Sequence, residues 1–463
     1  MSTRSTTRSK LRVRTGLGRG ARAVRTGLDS KRASSRLTLP ARGSLGKPVT
    51  PHSTPPKLGG TPIAQRTTPG PGGIAGLRAG FERWVNPVLV AVLIALLVFG
   101  AAFLRTAVHA DSSFKRQLLG IGIGLVGLVV FWIWDYRKLK DWVIPLFILD
   151  VLLIVSPRIP GIGKYVNGAW SWLAIGNQNL FQPSEPAKLI TILLLAAIVA
   201  NYDGELNDWR SFLKVVGLSL IPFVAIMVQP DLGTGLVFIV IMLAILLVGG
   251  VRMRLLLGLI GAGAAAIALI FWVNTFTYDA EKDEYKILKK YQLERLTGFI
   301  NPEADTKGAS YNLKQSKIAI GSGELKGKGL GAGTQSNLNF LPERSTDFIF
   351  SVLGEETGFV GCVALMALYL ALLLVALSIA RASSDLYGTL ITAGITGMWV
   401  FQILENAGMT MGVMPITGIP LPFMSYGSSF MITNLAAAGV LLSIWRHRPY
   451  QSVMKGAFDE AAL

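Results

Sequence analysis

The sequence predicts an all-α integral membrane protein, a bundle of about ten transmembrane helices with a long extracytoplasmic loop between spans seven and eight. Three observations predict it. Of the 463 residues, 51% are hydrophobic and only 16% charged, whereas soluble domains are about one quarter charged. Mean hydropathy is +0.49, which excludes an ordinary soluble enzyme. The positive charge is also gathered at one end. Residues 1–85 carry 17 Lys and Arg against 2 acids, and the other 378 residues carry 28 against 25.

Residues 1–85 read as a disordered, basic cytoplasmic tail. Their Ser, Thr, Gly, Pro and Arg residues form no sustained apolar period, so too little surface can be buried to offset chain entropy. Nucleic acid is disfavoured as a partner because no aromatic residue occurs in 1–80. Anionic membrane lipids suit such a tail better. The apolar run that follows is about as long as a span and has no cleavage site after it, which argues against a signal peptide.

A multi-span membrane domain is expected over 86–446. Its apolar runs fall near 87–105, 115–134, 141–156, 186–201, 211–228, 232–250, 254–276, 355–380, 387–411 and 428–445. Trp84, Trp132, Trp134, Trp142 and Trp272 lie near run ends, where amphipathic rings favour the interface. With the tail cytoplasmic, ten spans return the C-terminus to the cytosol, so 447–463 reads as a short cytoplasmic tail. The inner segments then hold 10 Lys and Arg besides the tail, and the short outer ones hold 5. The outer loop 277–346 holds 11 Lys and Arg, 9 acids and many glycines. Loops of this length are usually functional or disordered, and its ordered-looking second half argues for function.

Four polar or proline-rich stretches lie at the outer ends of these spans. Residues 338–358 bring Glu343, Arg344, Asp347, Glu355 and Glu356 to the mouth of the eighth span. Asp347, or Thr346, suits a helix N-cap. Glu355 and Glu356 interrupt an apolar run, as acids facing a bundle interior or a headgroup zone do. At 182–188, Ser184 or Glu185 can cap a helix that has Pro186 in its first turn. Lys188 can pair there with Glu185 or bind an anion. Asp231, in the turn 229–235, is a good cap. The loop 412–427 has three prolines and no charge, which suits a rigid hairpin that cradles a lipid tail or meets another membrane helix.

Together these stretches resemble the SEDS family (shape, elongation, division and sporulation), the membrane peptidoglycan glycosyltransferases of the RodA and FtsW type. The motifs are QPSEPAK at 182–188, QPDLGTG at 229–235, residues 321–361 around LPERSTDFIF, and 406–429 from NAGMTMG to SYGSS. GTQS at 333–336 is closer to the RodA branch. The resemblance implies polymerisation of lipid II into glycan at the outer face of the bacterial cytoplasmic membrane, with undecaprenyl diphosphate leaving. It places the essential aspartate on Asp347, with Glu185, Lys188, Asp231 and Ser425 as further site residues. Glu343 and Arg344, beside Asp347, join them as candidates for substrate binding. It also implies a class B penicillin-binding protein, a transpeptidase, as partner. The chain departs from the family at Ser345, usually His, at Asn339, often Glu, and at Gly168-Ala169-Trp170-Ser171-Trp172, where Arg usually precedes Trp.

The chemistry fits that inventory. A sugar hydroxyl needs a base as its bond forms, while a diphosphate leaving group needs positive charge and no general acid. Asp347 can supply the first. Lys188, Arg344, Lys317 or Lys328 can supply the second, with a divalent cation (Mg or Mn) held between Asp347 and the diphosphate as the alternative. Other readings are an FtsW-like division polymerase, a flippase for the lipid-linked precursor, and a non-catalytic scaffold.

Overall fold

The computed structural model describes residues 82, 84–108, 111–166, 169–175, 178–229, 231–276, 278–279, 284–285 and 309–449. All lie in one compact unit, Pro69–Leu463. The expected disorder of 1–85 and most of 277–308 fall outside the described residues.

Each of the ten apolar runs is a helix. They are α1 (Pro87–Ala107), α2 (Asp111–Ile133), α3 (Val143–Val155), α4 (Ser184–Ala200), α5 (Trp209–Val228), α6 (Leu232–Val248), α7 (Met253–Phe276), α10 (Ile349–Ala382), α11 (Leu386–Met411) and α12 (Ser428–Arg446). Two shorter helices, α8 (Ala309–Ser322) and α9 (Thr334–Asn337), occupy the second half of the long loop. Seven helices, α1, α2, α5, α7, α10, α11 and α12, are long and apolar enough to cross a membrane, and α6 is a shorter apolar one.

Helix starts follow capping chemistry. Asn86 precedes Pro87 and accepts from the Leu89 N–H at 3.0 Å, and Asp208 and Asp385 cap α5 and α11 in the same way. Inside, α2 runs along α12, and α11 packs against α4, α6 and α10. Trp399 of α11 is fully buried and donates to Asn434 Oδ1 of α12 at 2.7 Å, which gives its buried N–H the partner it needs. By contrast α7 has only 6% of its apolar window buried.

Two features differ from the sequence expectation. Residues 157–185 contain a three-stranded antiparallel sheet, β1 (Gly163–Val166), β2 (Ala169–Ile175) and β3 (Gln178–Phe181). Tyr165, Trp170, Trp172 and Leu173 favour strands, and the sequence Asn167-Gly168 between β1 and β2 is a hairpin signal. Hydropathy, which governed the span assignment, is blind to both. A further strand pair, β4 (Tyr278–Asp279) with β5 (Glu284–Tyr285), follows α7. The eighth span also begins at Ile349 rather than 355. Its backbone breaks at Gly358, with φ 66° and ψ −160°, so one short helical piece carries Glu355 and Glu356 before the apolar rod proper.

The two ends of the body meet. Trp445 Nε1 and Arg448 donate to the Glu82 carbonyl at 3.0 and 3.1 Å. Arg446 lies over the Trp84 ring at 4.0 Å.

Candidate active site

Residues 343–348 form a tight turn leading into α10. Glu343 adopts φ 51°, and its carbonyl accepts from the N–H groups of Thr346, Asp347 and Phe348 at 3.2, 3.0 and 3.2 Å. Asp347 is half-buried on this turn. The N-cap of α10 is Phe348, with no side-chain cap. Neither Asp347 nor Thr346 therefore takes the capping role the sequence allowed. Thr346 Oγ1 instead donates to the Glu343 carbonyl and to Glu343 Oε2, each at 3.2 Å.

The carbonyl side of the same turn is held from the 406–426 stretch. The Tyr426 N–H donates to Ser345 O at 2.8 Å, Ser425 Oγ to Thr346 O at 2.6 Å, and Asn406 Nδ2 to Asp347 O at 2.9 Å. Ser425 Oγ also accepts from the Leu421 N–H at 2.8 Å, and Asn406 Nδ2 reaches Ile419 O at 2.7 Å. Both side chains are fully buried. The loop that presents them is anchored in turn. Tyr369 of α10 donates to Pro422 O at 2.6 Å, Gln117 of α2 accepts from the Gly427 N–H at 2.9 Å, and Phe423 packs edge-on to Trp399 at 5.6 Å. Phe423 has φ 63°, a conformation a bulky residue holds only when its surroundings impose it.

This corrects one expectation. Ile416, Ile419, Leu421, Phe423 and Met424 are buried, so the heart of the 412–427 loop is no open cradle for a lipid tail or a partner helix. An uncharged, proline-rich segment can sink into the bundle because Asn406, Ser425 and Tyr369 satisfy its backbone groups.

The other stretches meet this loop or the start of α12. Ser429 Oγ accepts from the Gln182 N–H at 3.0 Å. Lys188 Nζ donates to Glu185 Oε1 at 2.9 Å, is ion-paired with Oε2 at 2.8 Å and lies 5.4 Å from the Phe430 ring centroid. Glu185 and Lys188 are 3% and 2% exposed, so this is a buried ion pair. The N-cap of α4 is Pro183, without a side-chain cap, so neither Ser184 nor Glu185 caps it. Asp231 does cap α6, accepting from the Thr234 N–H at 3.0 Å and from Thr234 Oγ1 at 2.8 Å. Gly233 lets that helix start lie against Thr417, whose carbonyl a side-chain carbon would approach to 2.8 Å. Asp231→Ala is expected to cost about 1 kcal/mol, read as a lower unfolding temperature.

Arg344 reaches elsewhere. Its Nε donates to Ala107 O at 2.7 Å, and its Nη1 to Asn339 Oδ1 at 2.6 Å and to the Ser336 carbonyl. Burial pulls this guanidinium below its ordinary pKa. Asn339, one of the departures from the family pattern, thus holds Arg344 from a left-handed backbone, φ 58°. Glu343 is exposed.

The glycine-rich segment 323–333 wraps the break in α10. The N–H groups of Lys328 and Gly329 donate to Glu355 O and Glu356 O at 3.0 and 2.9 Å. Glu355 Oε1 accepts from Lys328 Nζ at 2.7 Å, from the Thr334 and Gln335 N–H groups at 2.7 and 3.0 Å, and from Thr334 Oγ1 at 3.0 Å. Glu356 accepts from Thr106 Oγ1 at 2.9 Å. Any Cβ on Gly327 would lie 2.2 Å from Glu356 O, and one on Gly358 would lie 2.5 Å from Gly327 N. The glycines are therefore there for close approach.

Asn406 and Asp150 are among the buried polar groups that the sequence alone does not single out. Asn406 lies inside the 406–429 motif, and its signal is a set of polar residues, Gln402, Glu405 and Asn406, within an apolar run. Asp150 of α3 is fully buried and accepts from Thr191 Oγ1 at 2.6 Å; an acid inside an apolar run was the signal there. No group of three His, Cys, Asp or Glu able to hold a metal ion occurs among the described residues.

Known proteins resemble the chain along most of its length. A family model described as "Cell cycle protein", FTSW_RODA_SPOVE, matches residues 83–450. Peptidoglycan glycosyltransferase RodA of Treponema pallidum is 34% identical, covering 77% of this chain and 96% of that one. Stage V sporulation protein E of Bacillus subtilis is 35% identical, covering 79% and 98%. Peptidoglycan glycosyltransferase MrdB of Escherichia coli K12 is 36% identical, covering 79% and 94%. Among solved structures, a chain from a peptidoglycan synthase complex that coordinates polymerization and crosslinking superposes with TM-score 0.65 at 31% identity, covering 78% of this chain and 98% of that one. The rod shape determining protein RodA of Thermus thermophilus superposes with TM-score 0.56 at 29% identity, covering 78% and 96%.

Proposed function

The chain belongs to the FtsW/RodA/SpoVE family, and from that premise we propose that it is a peptidoglycan glycosyltransferase that polymerises lipid II, with Asp347 as the proton acceptor. The observation that carries this reading is the half-buried Asp347 turn, held by bonds from the 406–426 stretch.

In the reaction an acceptor sugar hydroxyl attacks the anomeric carbon of the lipid-linked donor. The hydroxyl proton passes to the Asp347 carboxylate as the new C–O bond forms. The bond to the diphosphate breaks, and its electron pair leaves with undecaprenyl diphosphate. In-line displacement turns an α-linked donor into a β-linked glycan. Lys188 and Lys328 each already bond a carboxylate, and Arg344 spends Nε and Nη1 within the protein. A diphosphate would share these cations with their partners. A divalent cation held by Asp347 and the diphosphate would add positive charge at the same place.

The orientation follows the basic residues: both termini cytoplasmic, and Asp347 at the extracytoplasmic rim of a bacterial inner membrane. Within the family, GTQS at 333–336 and the RodA and MrdB relatives favour a role in cell shape and elongation over division. The partner is a class B penicillin-binding protein, as the synthase complex among the structural neighbours suggests. Purified chain with that partner, given lipid II in vesicles, is expected to yield glycan strands and undecaprenyl diphosphate. Vesicles that move lipid II across the bilayer yet never make glycan would overturn the proposal in favour of a flippase.

A further inference from the structure

We propose that Ser425 and Asn406 are positioning residues for the glycosyl transfer, forming with the Tyr426 N–H a clamp on three consecutive carbonyls that fixes where the Asp347 carboxylate points. The proposal rests on the reading of Asp347 as proton acceptor.

The geometry is specific. Residues 345, 346 and 347 each give their carbonyl to a donor from the 406–426 stretch, at 2.8, 2.6 and 2.9 Å. On the other side, the N–H groups of 346, 347 and 348 all point at Glu343 O. The turn that bears Asp347 is thus bonded through both backbone groups, although it lies outside regular helix and has no side-chain cap. A catalytic carboxylate gains from such support, because a misplacement of about 1 Å can cost 100-fold in rate.

The donors are themselves fixed. Ser425 Oγ is held by the Leu421 N–H, and Asn406 Nδ2 by Ile419 O, with both residues fully buried. Gln117, from α2, grips the same loop at Ser425 O and at the Gly427 N–H. The bonded side-chain atoms of Ser425 and Asn406 face backbone groups of the protein. Their influence on the reaction runs through the 345–347 backbone.

The test uses full-length protein with its transpeptidase partner, lipid II polymerisation as readout, and six variants: Ser425→Ala, Ser425→Thr, Asn406→Leu, Asp347→Asn, and Ser425→Ala and Asn406→Leu each combined with Asp347→Asn. Ser425→Ala and Asn406→Leu alone are expected to lower kcat about tenfold or more, with KM changed less than about twofold, the pattern of an interaction that serves the transition state. Ser425→Thr, which keeps the hydroxyl, is expected to restore most of the loss. In the Asp347→Asn background, assayed at high enzyme concentration, neither change should cost anything further. A KM rise with kcat unchanged, or an equal further loss in that background, would overturn the clamp.

Amide hydrogen exchange at 346–348 separates this proposal from the one it rests on. Exchange there should quicken in Ser425→Ala and Asn406→Leu, and unchanged exchange overturns the clamp whatever Asp347 does. Wild-type polymerisation by Asp347→Asn alone would remove the proton-acceptor reading, and with it the clamp's catalytic purpose, even if exchange quickened.

Discussion

Asp347→Asn is expected to cut glycan synthesis from lipid II by about 100-fold to 10,000-fold, the range over which a positioned general base contributes. Asparagine matches the carboxylate in size but cannot take a proton at neutral pH. The backbone bonds from Tyr426, Ser425 and Asn406 do not involve the side chain that is replaced. The variant should therefore fold, reach the membrane and bind lipid II with a near-normal KM while kcat collapses. Initial rates of polymerisation over a range of lipid II concentrations check both halves. Unchanged glycan synthesis would deprive Asp347 of its role.

The second large effect concerns the buried pair Glu185–Lys188. Lys188→Met leaves a carboxylate 3% exposed without its cation, and breaking such a pair costs about 3–5 kcal/mol. Thermal unfolding in detergent should show a markedly lowered transition for Lys188→Met. Removing both charges, with Glu185→Gln and Lys188→Met together, should recover most of that loss, since a neutral buried pair leaves no uncompensated ion. Activity gives a separate reading. If Lys188 shares its charge with the diphosphate, the double variant stays stable but polymerises slowly. If the double variant is as active as wild type, the pair is architectural only.

The helical frame was legible because hydrocarbon imposes long apolar runs on any chain that crosses it. Even so, hydropathy misplaced the start of α10. The rule looks for where acids stop, whereas Glu355 and Glu356 sit inside the helix, with Lys328, Thr334 and Thr106 as partners from distant parts of the chain. The sheet at 163–181 escaped for a related reason, since Tyr165, Trp170 and Trp172 count as interface aromatics on one scale and as strand formers on another.

The site was legible as a set of stretches, through family resemblance, and Asp347 stood out within it. What each neighbour does was not. Arg344 read as a cation for the diphosphate, and its Nε and Nη1 are engaged by Ala107, Ser336 and Asn339. Ser425 read as a substrate contact, and its hydroxyl joins Thr346 to Leu421. Sequence shows which groups are polar, but partners separated by 79 residues, as Ser425 and Thr346 are, are set by tertiary packing alone. Asp231 was the easier case, because a cap is satisfied within four residues.

The seam between Glu82 and the Trp445–Arg448 segment bears on how the membrane body is joined to whatever lies beyond it. Covalently, everything upstream of Glu82 starts within hydrogen-bonding reach of Arg448. A pull applied at Glu82 is therefore shared with the exit of the last helix. Glu82 and the end of the last helix thus share a single anchorage.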